Sequence, residues 1–247
     1  MTVWTARRPR QRVRCSLDSL FPVLDRERRA ALEVAEARAL QMFEAIENAG
    51  LVRAGVSERV IEDEIKALAL KDFGVETHWH RRIVRSGPNS VTTAGDHPSV
   101  RDIAPDDIVY LDLGPVFEGW ESDIGKSYAL GSDPRKAALV AELPRQFDKL
   151  QRHFRANPDI TGAALYDFAV TSAGEAGWKF GGKIAGHIVS EFAHAQIPGA
   201  KDLARIAPLN LEPMSNPDGN GQPRHWIGEI HLVETDDSFG GFYERLL

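Results

Sequence analysis

Five residues carry the chemistry this sequence could do: Asp112, Asp123, His187, Glu212 and Glu229. Asp112 sits inside the apolar run 108–113, and Asp123 stands 11 positions later at the entrance to a second apolar run, 124–130. Gly114, Pro115 and Gly119 lie between the runs, so the two read as antiparallel strands joined by a turn. An ionised carboxylate within such a strand is costly unless positive charge compensates it. One aspartate alone reads better as an ordinary hydrogen-bonded core or turn residue. Two on paired strands, followed by His187 and by glutamates in similar settings, favour a cation. Four carboxylates and one imidazole form an oxygen-rich set suited to two divalent ions of borderline hardness, such as Mn, Fe, Co or Zn, with a bridging carboxylate and water. Two such ions lower the pKa of a shared water and polarise a carbonyl, the requirements for amide hydrolysis near neutral pH.

The elements that must position these residues follow from periodicity and turn chemistry. Residues 1–20 are polar and basic, with Arg7, Arg8, Arg10, Arg12 and Arg14, and read as a solvated arm. Residues 21–247 read as a single catalytic domain, made of a helical lead-in over 21–75 and a core over 76–247. Leu32, Ala35, Ala39, Phe43 and Ile46 recur at helical spacing before Gly50, and Ser57 caps a second helix that uses Ile61, Ile65 and Leu68 and stops near Gly74. A strand-like stretch, 76–84, leads into a loop rich in Gly, Pro, Asn, Ser and Thr that contains His97. A loop histidine is more often idle than functional.

A helix over about 134–154 carries Leu139, Leu143, Phe147 and Leu150, with Pro144 expected to kink or interrupt it. A helix from Thr161 uses Leu165, Phe168 and Val170. Gly181, Gly182 and Gly186 surround the approach to His187, leaving room for backbone and imidazole to come close to a common centre. The order of elements implies an α+β fold with helices on one face of an antiparallel sheet.

Composition narrows the partners. The 43% apolar and 27% charged content is ordinary for a globular chain, and a net charge of −6 argues against a nucleic-acid surface. The single cysteine, Cys15, excludes an intramolecular disulfide and leaves any metal site to oxygen and nitrogen donors. With no apolar segment after the arginines and none long enough to span a bilayer, the expectation is a cytoplasmic protein without a membrane partner.

Taken in order, these motifs resemble the pita-bread metallohydrolase family of methionine aminopeptidase, Xaa-Pro aminopeptidase, prolidase and creatinase. The DLG at 112–114 and the SD at 122–123, with Lys126 after it, match the family's two-aspartate hairpin. GHIVSEFAH matches its glycine-histidine stretch, with His194 seven positions after His187. LEPM and WIGEIHLVE match its two glutamate strands, and IVRSGPNSVTTAGDH looks like the substrate-side loop of the Xaa-Pro branch. The resemblance covers roughly residues 80–247 and implies a curved antiparallel sheet with helices packed on its outer face. It further implies that Asp112 holds one metal and His187 with Glu212 the other, that Asp123 and Glu229 bridge them, and that Glu212 also accepts a proton from the bridging water. Histidines at His194 and His97 would contact substrate and stabilise the developing oxyanion.

The implied activity is that of a minimal Xaa-Pro-type catalytic domain, a metallopeptidase that cleaves a short peptide through a metal-bridging hydroxide, with a homodimer as the candidate assembly. Val189 stands where the family usually has glycine, which motivates a second expectation: a creatinase-like hydrolase of a small amide or other non-peptide C–N bond. A silent binding module on the same fold is the third. His231 and, more weakly, His225 rival the assigned ligands, although a core-edge or surface histidine is the favoured reading of both. His78 and His80 fall outside the family pattern and read as structural.

Overall fold

A helix built on the spacing of Leu32, Ala35, Ala39, Phe43 and Ile46 opens the fold: α1, Phe21–Asn48, buries all five. The computed structural model of the protein describes residues 21–247, so the expected basic arm lies outside the described residues. In α2, Glu58–Phe73, the Ser57 hydroxyl accepts from the Val60 amide at 3.3 Å, and Gly74 ends the helix in the left-handed region at φ 67°. Its buried stripe is Ile61, Ile65 and Ala69, with Leu68 half-buried beside it. The buried Glu58 carboxylate accepts from the Ser86 amide at 2.7 Å and from Asn89 Nδ2 at 3.0 Å, which ties the start of α2 to the loop that leaves the first strand.

The first half of the sheet comprises β1 (Ile83–Ser86), β2 (Ile108–Leu113), a small hairpin of β3 (Val116–Phe117) and β4 (Trp120–Glu121), and β5 (Ile124–Ala129). The expected pairing of the two aspartate-bearing runs is present, with β2 antiparallel to β5. Two further helices follow. The first, α3 (Pro134–Ala156), continues through Pro144, so of the expected kink or interruption the interruption does not occur. Proline removes one helical hydrogen bond, but Leu139 and Leu143 before it and Phe147 and Leu150 after it are all buried in the core, and that packing keeps the helix continuous. The second, α4 (Gly162–Glu175), is capped by Thr161 Oγ1, which accepts from the Ala164 amide at 3.1 Å. It is rotated from the expected stripe: Leu165, Ala169 and Ala173 are buried, Val170 is exposed, and Phe168 stacks on His153 of α3 at 3.9 Å.

The strands β6 (Lys179–Phe180), β7 (Gly186–Val189), β8 (His225–Val233) and β9 (Gly240–Leu246) complete an antiparallel sheet in the order β1-β2-β5-β9-β8-β6, with β7 also paired to β8. The C-terminal run is β9, and it lies in the middle of the sheet, joining β5 to β8. Side chains alternate across the strands. Val109, Leu111 and Leu113 of β2 pack with α1 and α2, while Trp226, Ile230 and Leu232 of β8 pack with α3 and α4. The intervening residues, Asp112, Glu229 and Glu244 among them, therefore share the opposite face. Among the described residues no helix is long and apolar enough to cross a membrane.

Gly125 sits between β2 and β9, where it opposes Asp112 and Glu244. A Cβ there would stand 2.5 Å from the Phe242 ring and 3.2 Å from Glu244 Cβ. Gly125→Ala should therefore cost about 1–3 kcal/mol of stability through overpacking, measured by urea unfolding; an unchanged midpoint would show that Phe242 yields freely.

Candidate metal centre

Strand register places the acidic residues in one line. Asp112 opposes Gly125, Gly125 opposes Glu244, and Glu244 opposes Glu229, so a row crosses four neighbouring strands. Asp123, one residue before β5, and His187, opposite Ile227 at the β7–β8 pairing, close on this row. Asp112, Asp123 and Glu244 are 7%, 3% and 2% exposed, so the charges lie in nearly dry surroundings.

Two imidazoles balance part of that charge. His187 Nε2 donates to Asp123 Oδ2 at 2.9 Å and lies 3.7 Å from Glu229 and 3.8 Å from Glu244. His80 Nε2 donates to Asp123 Oδ1 at 3.2 Å and lies 3.4 Å from Asp112. Burial alone would discharge both rings, but the neighbouring carboxylates outweigh it and push each up to about 9. Burial likewise raises the carboxyls of Asp112, Glu229 and Glu244, which also repel one another and Asp123. Asp123 alone stays below the usual carboxylate range, because His80 and His187 overcome its desolvation.

This donor set fits divalent cations. Asp123 is shared by two groups whose donor atoms lie within 4.8 Å of one another, His80 with Asp112 and His187 with Glu244. Glu244 Oε2 is buried without a hydrogen-bond partner among the described residues, an oxygen left for a cation rather than for protein.

The structure brings together Asp112, Asp123, His187 and Glu229 of the expected residues. Glu212 does not join them. It is exposed on a loop whose neighbours Leu209 and Leu211 are 75% exposed, and it accepts from Asn216 Nδ2 at 3.2 Å. Pro208 and Pro213 bound a segment that cannot run on as a ladder strand, and Pro213 bridges to Thr161 at the start of α4. The glutamate that stands beside Glu229 on the row is Glu244, and its signal was the alternation Phe242, Glu244, Leu246 in the final apolar run.

His194 does reach the site. Its ring stacks on His187 at 5.5 Å, and the buried Glu121 accepts from its amide at 2.9 Å and from Nδ1 at 2.6 Å. His97 is exposed on the loop between β1 and β2, and the imidazole that reaches Asp112 and Asp123 is His80. Both rivals are more buried than the core-edge or surface setting expected of them: His231 donates to Ser90 O at 2.9 Å within the core, and His225 faces Asp25 at 3.1 Å.

The raised imidazoles set a pH window for the metal-free fold. A folded pKa of about 9 against about 6.5 unfolded means their stabilisation is complete below about pH 6.5 and is lost as pH rises through about 9. The melting temperature of chelator-treated protein should fall across that interval, and added divalent ions should flatten the decline because they replace the protons. A flat profile in chelator would mean that the imidazoles are uncharged.

Residues 29–221 match metallopeptidase family M24. The chain is 30% identical over 128 residues to an Xaa-Pro dipeptidase of Lactobacillus helveticus, covering 50% of this chain and 34% of that one. It thus spans about a third of the length of the curated relatives it matches. Among solved structures it resembles the prolidase of Pyrococcus horikoshii OT3, with a TM-score of 0.67, 20% identity, and 93% of this chain and 62% of that one covered. It also resembles methionine aminopeptidase of Rickettsia prowazekii, with a TM-score of 0.65, 11% identity, and 90% and 92% covered. With the family matched over well more than half its length and the fold shared with these structures, the chain belongs to metallopeptidase family M24 and has its pita-bread fold.

Proposed function

We propose that this chain is a binuclear metal-dependent hydrolase of a peptide-type bond in a short peptide, of the Xaa-Pro dipeptidase or aminopeptidase class. Asp112, Asp123, His187, Glu229 and Glu244 would hold the ions, with residues 21–247 acting as one catalytic domain. The observation that carries this reading is the carboxylate row around Asp123, with a buried Glu244 oxygen left without a protein partner. The two glutamate roles implied by the family resemblance move one strand onward, to Glu229 and Glu244.

Bound there, two divalent ions, Mn, Fe, Co or Zn, would supply a nucleophilic water of lowered pKa and polarise the scissile carbonyl. The side chains do the rest. Glu229 is the more open of the two glutamates, with 15% of its side chain exposed, which suits it to take a proton from the attacking water and return it to the leaving amine. Glu121 fixes the His194 ring through Nδ1, so that Nε2 would be the nitrogen offered to a substrate carbonyl oxygen.

Protein stripped of metal should lose hydrolysis of Xaa-Pro and other dipeptides and regain it with Mn, Co or Fe. Glu244→Gln should lower kcat by about a hundredfold or more, whereas Glu212→Gln should retain wild-type activity. A panel that includes small amides and guanidino compounds tests the bond class. Turnover of those alone would reassign the enzyme to non-peptide C–N bonds, and loss of activity in Glu212→Gln would restore that residue to the site.

A further inference from the structure

His80 and His187 approach Asp123 in matching geometry. Each Nδ1–H donates to the carbonyl of the following residue, Arg81 O at 2.6 Å and Ile188 O at 2.7 Å. Each Nε2 is thereby turned onto one oxygen of Asp123. A backbone carbonyl on Nδ1 is the arrangement that fixes a metal-ligating imidazole, with Nε2 presented to the ion. Donor atoms bound at about 2.1 Å stand about 3–3.4 Å apart around one ion. His80 Nε2 lies 3.2 Å from Asp123 Oδ1 and 3.4 Å from Asp112 Oδ1.

The fold holds this ring in place deliberately. Trp79 N donates to Gly114 O at 2.9 Å and Val116 N to Thr77 O at 3.0 Å, so the segment before β1 is strapped across the turn that follows Asp112. Gly114 makes the close approach feasible, since any Cβ there would overlap the His80 ring and crowd Trp79 Nε1. The Trp79 indole then stands edge-on to His80, His187 and His194, at 4.4, 5.2 and 4.8 Å, and walls off the site from the strap side. A plain ion pair between an imidazolium and two aspartates accounts for the contacts of His80. It does not account for the matched Nδ1 anchors, nor for the buried Glu244 oxygen without a hydrogen-bond partner on the other side of Asp123.

We propose that His80 is a metal ligand, giving the ion held by Asp112 and Asp123 an imidazole of its own, so that each of two ions takes one nitrogen from the chain. This rests on the reading of the site as a binuclear centre. The added nitrogen shifts the Asp112 side towards Co or Zn over Mn.

X-ray absorption of the wild-type protein loaded with cobalt counts imidazoles per ion. One per cobalt supports the assignment, and one half, with His187 serving alone, overturns it. Calorimetric cobalt titration of His80→Ala and His80→Gln should show one of two sites weakened by about tenfold or more, while His187→Ala weakens the other. Thermal unfolding of each metal-free variant checks that it is folded. Two cobalt ions bound with unchanged affinity in both His80 variants would remove His80 as a ligand and leave the binuclear reading standing. Fewer than two ions in the wild type, or no effect of His187→Ala, would overturn that reading and this assignment with it.

Discussion

Asp123 keeps its charge inside a nearly dry sheet because an imidazole stands on each of its two oxygens, and the surrounding architecture preserves that arrangement. Its neighbours Asp112, Glu229 and Glu244 would otherwise repel it at distances where little water screens them. Two imidazoles cannot balance four carboxylates, so the carboxyls away from Asp123 are driven towards their protonated forms. The same imbalance makes the site a receptor for divalent cations, which offset more charge per unit volume than protons do. Strand register enforces this frustration: Asp112, Glu244 and Glu229 cannot separate without breaking the ladders of β2, β5, β9 and β8.

Much of the scaffold was legible because it rests on local signals. The α1 stripe, the Ser57 and Thr161 caps, the Gly74 stop and the paired runs around Asp112 and Asp123 each depend on residues a few positions apart. The rotation of α4 and the continuity of α3 through Pro144 were not legible, because both are settled by packing against distant elements. A proline within a helix, such as Pro144, costs one hydrogen bond, and the tertiary partners decide whether the helix survives it.

The site shows the same division. Asp112, Asp123, His187 and Glu229 stood out as polar residues embedded in apolar strands. Glu212 was mistaken for a ligand because LEPM shares residue types with a glutamate strand, while the flanking Pro208 and Pro213 already opposed a ladder there. Glu244 was hidden in an aromatic run whose place in the sheet depends on pairing with β5, more than a hundred positions earlier in the chain. His80 was hidden for a different reason: it reaches Asp112 from a strap outside the named strands, and only Gly114, 34 positions on, reveals the space kept for it.

The central place of β9 has a consequence for how the protein is made. Synthesis delivers β2 and β5, with both aspartates, while the strand that will cover β5 is still untranslated, so an open edge bearing unpaired backbone groups waits through more than a hundred further residues. Only when β9 slots between β5 and β8 do the two helix pairs become one body and Glu244 reach Asp123. Assembly of the fold and assembly of the donor set are thus a single late, non-local event, and the nascent chain is most prone to mispairing just before it.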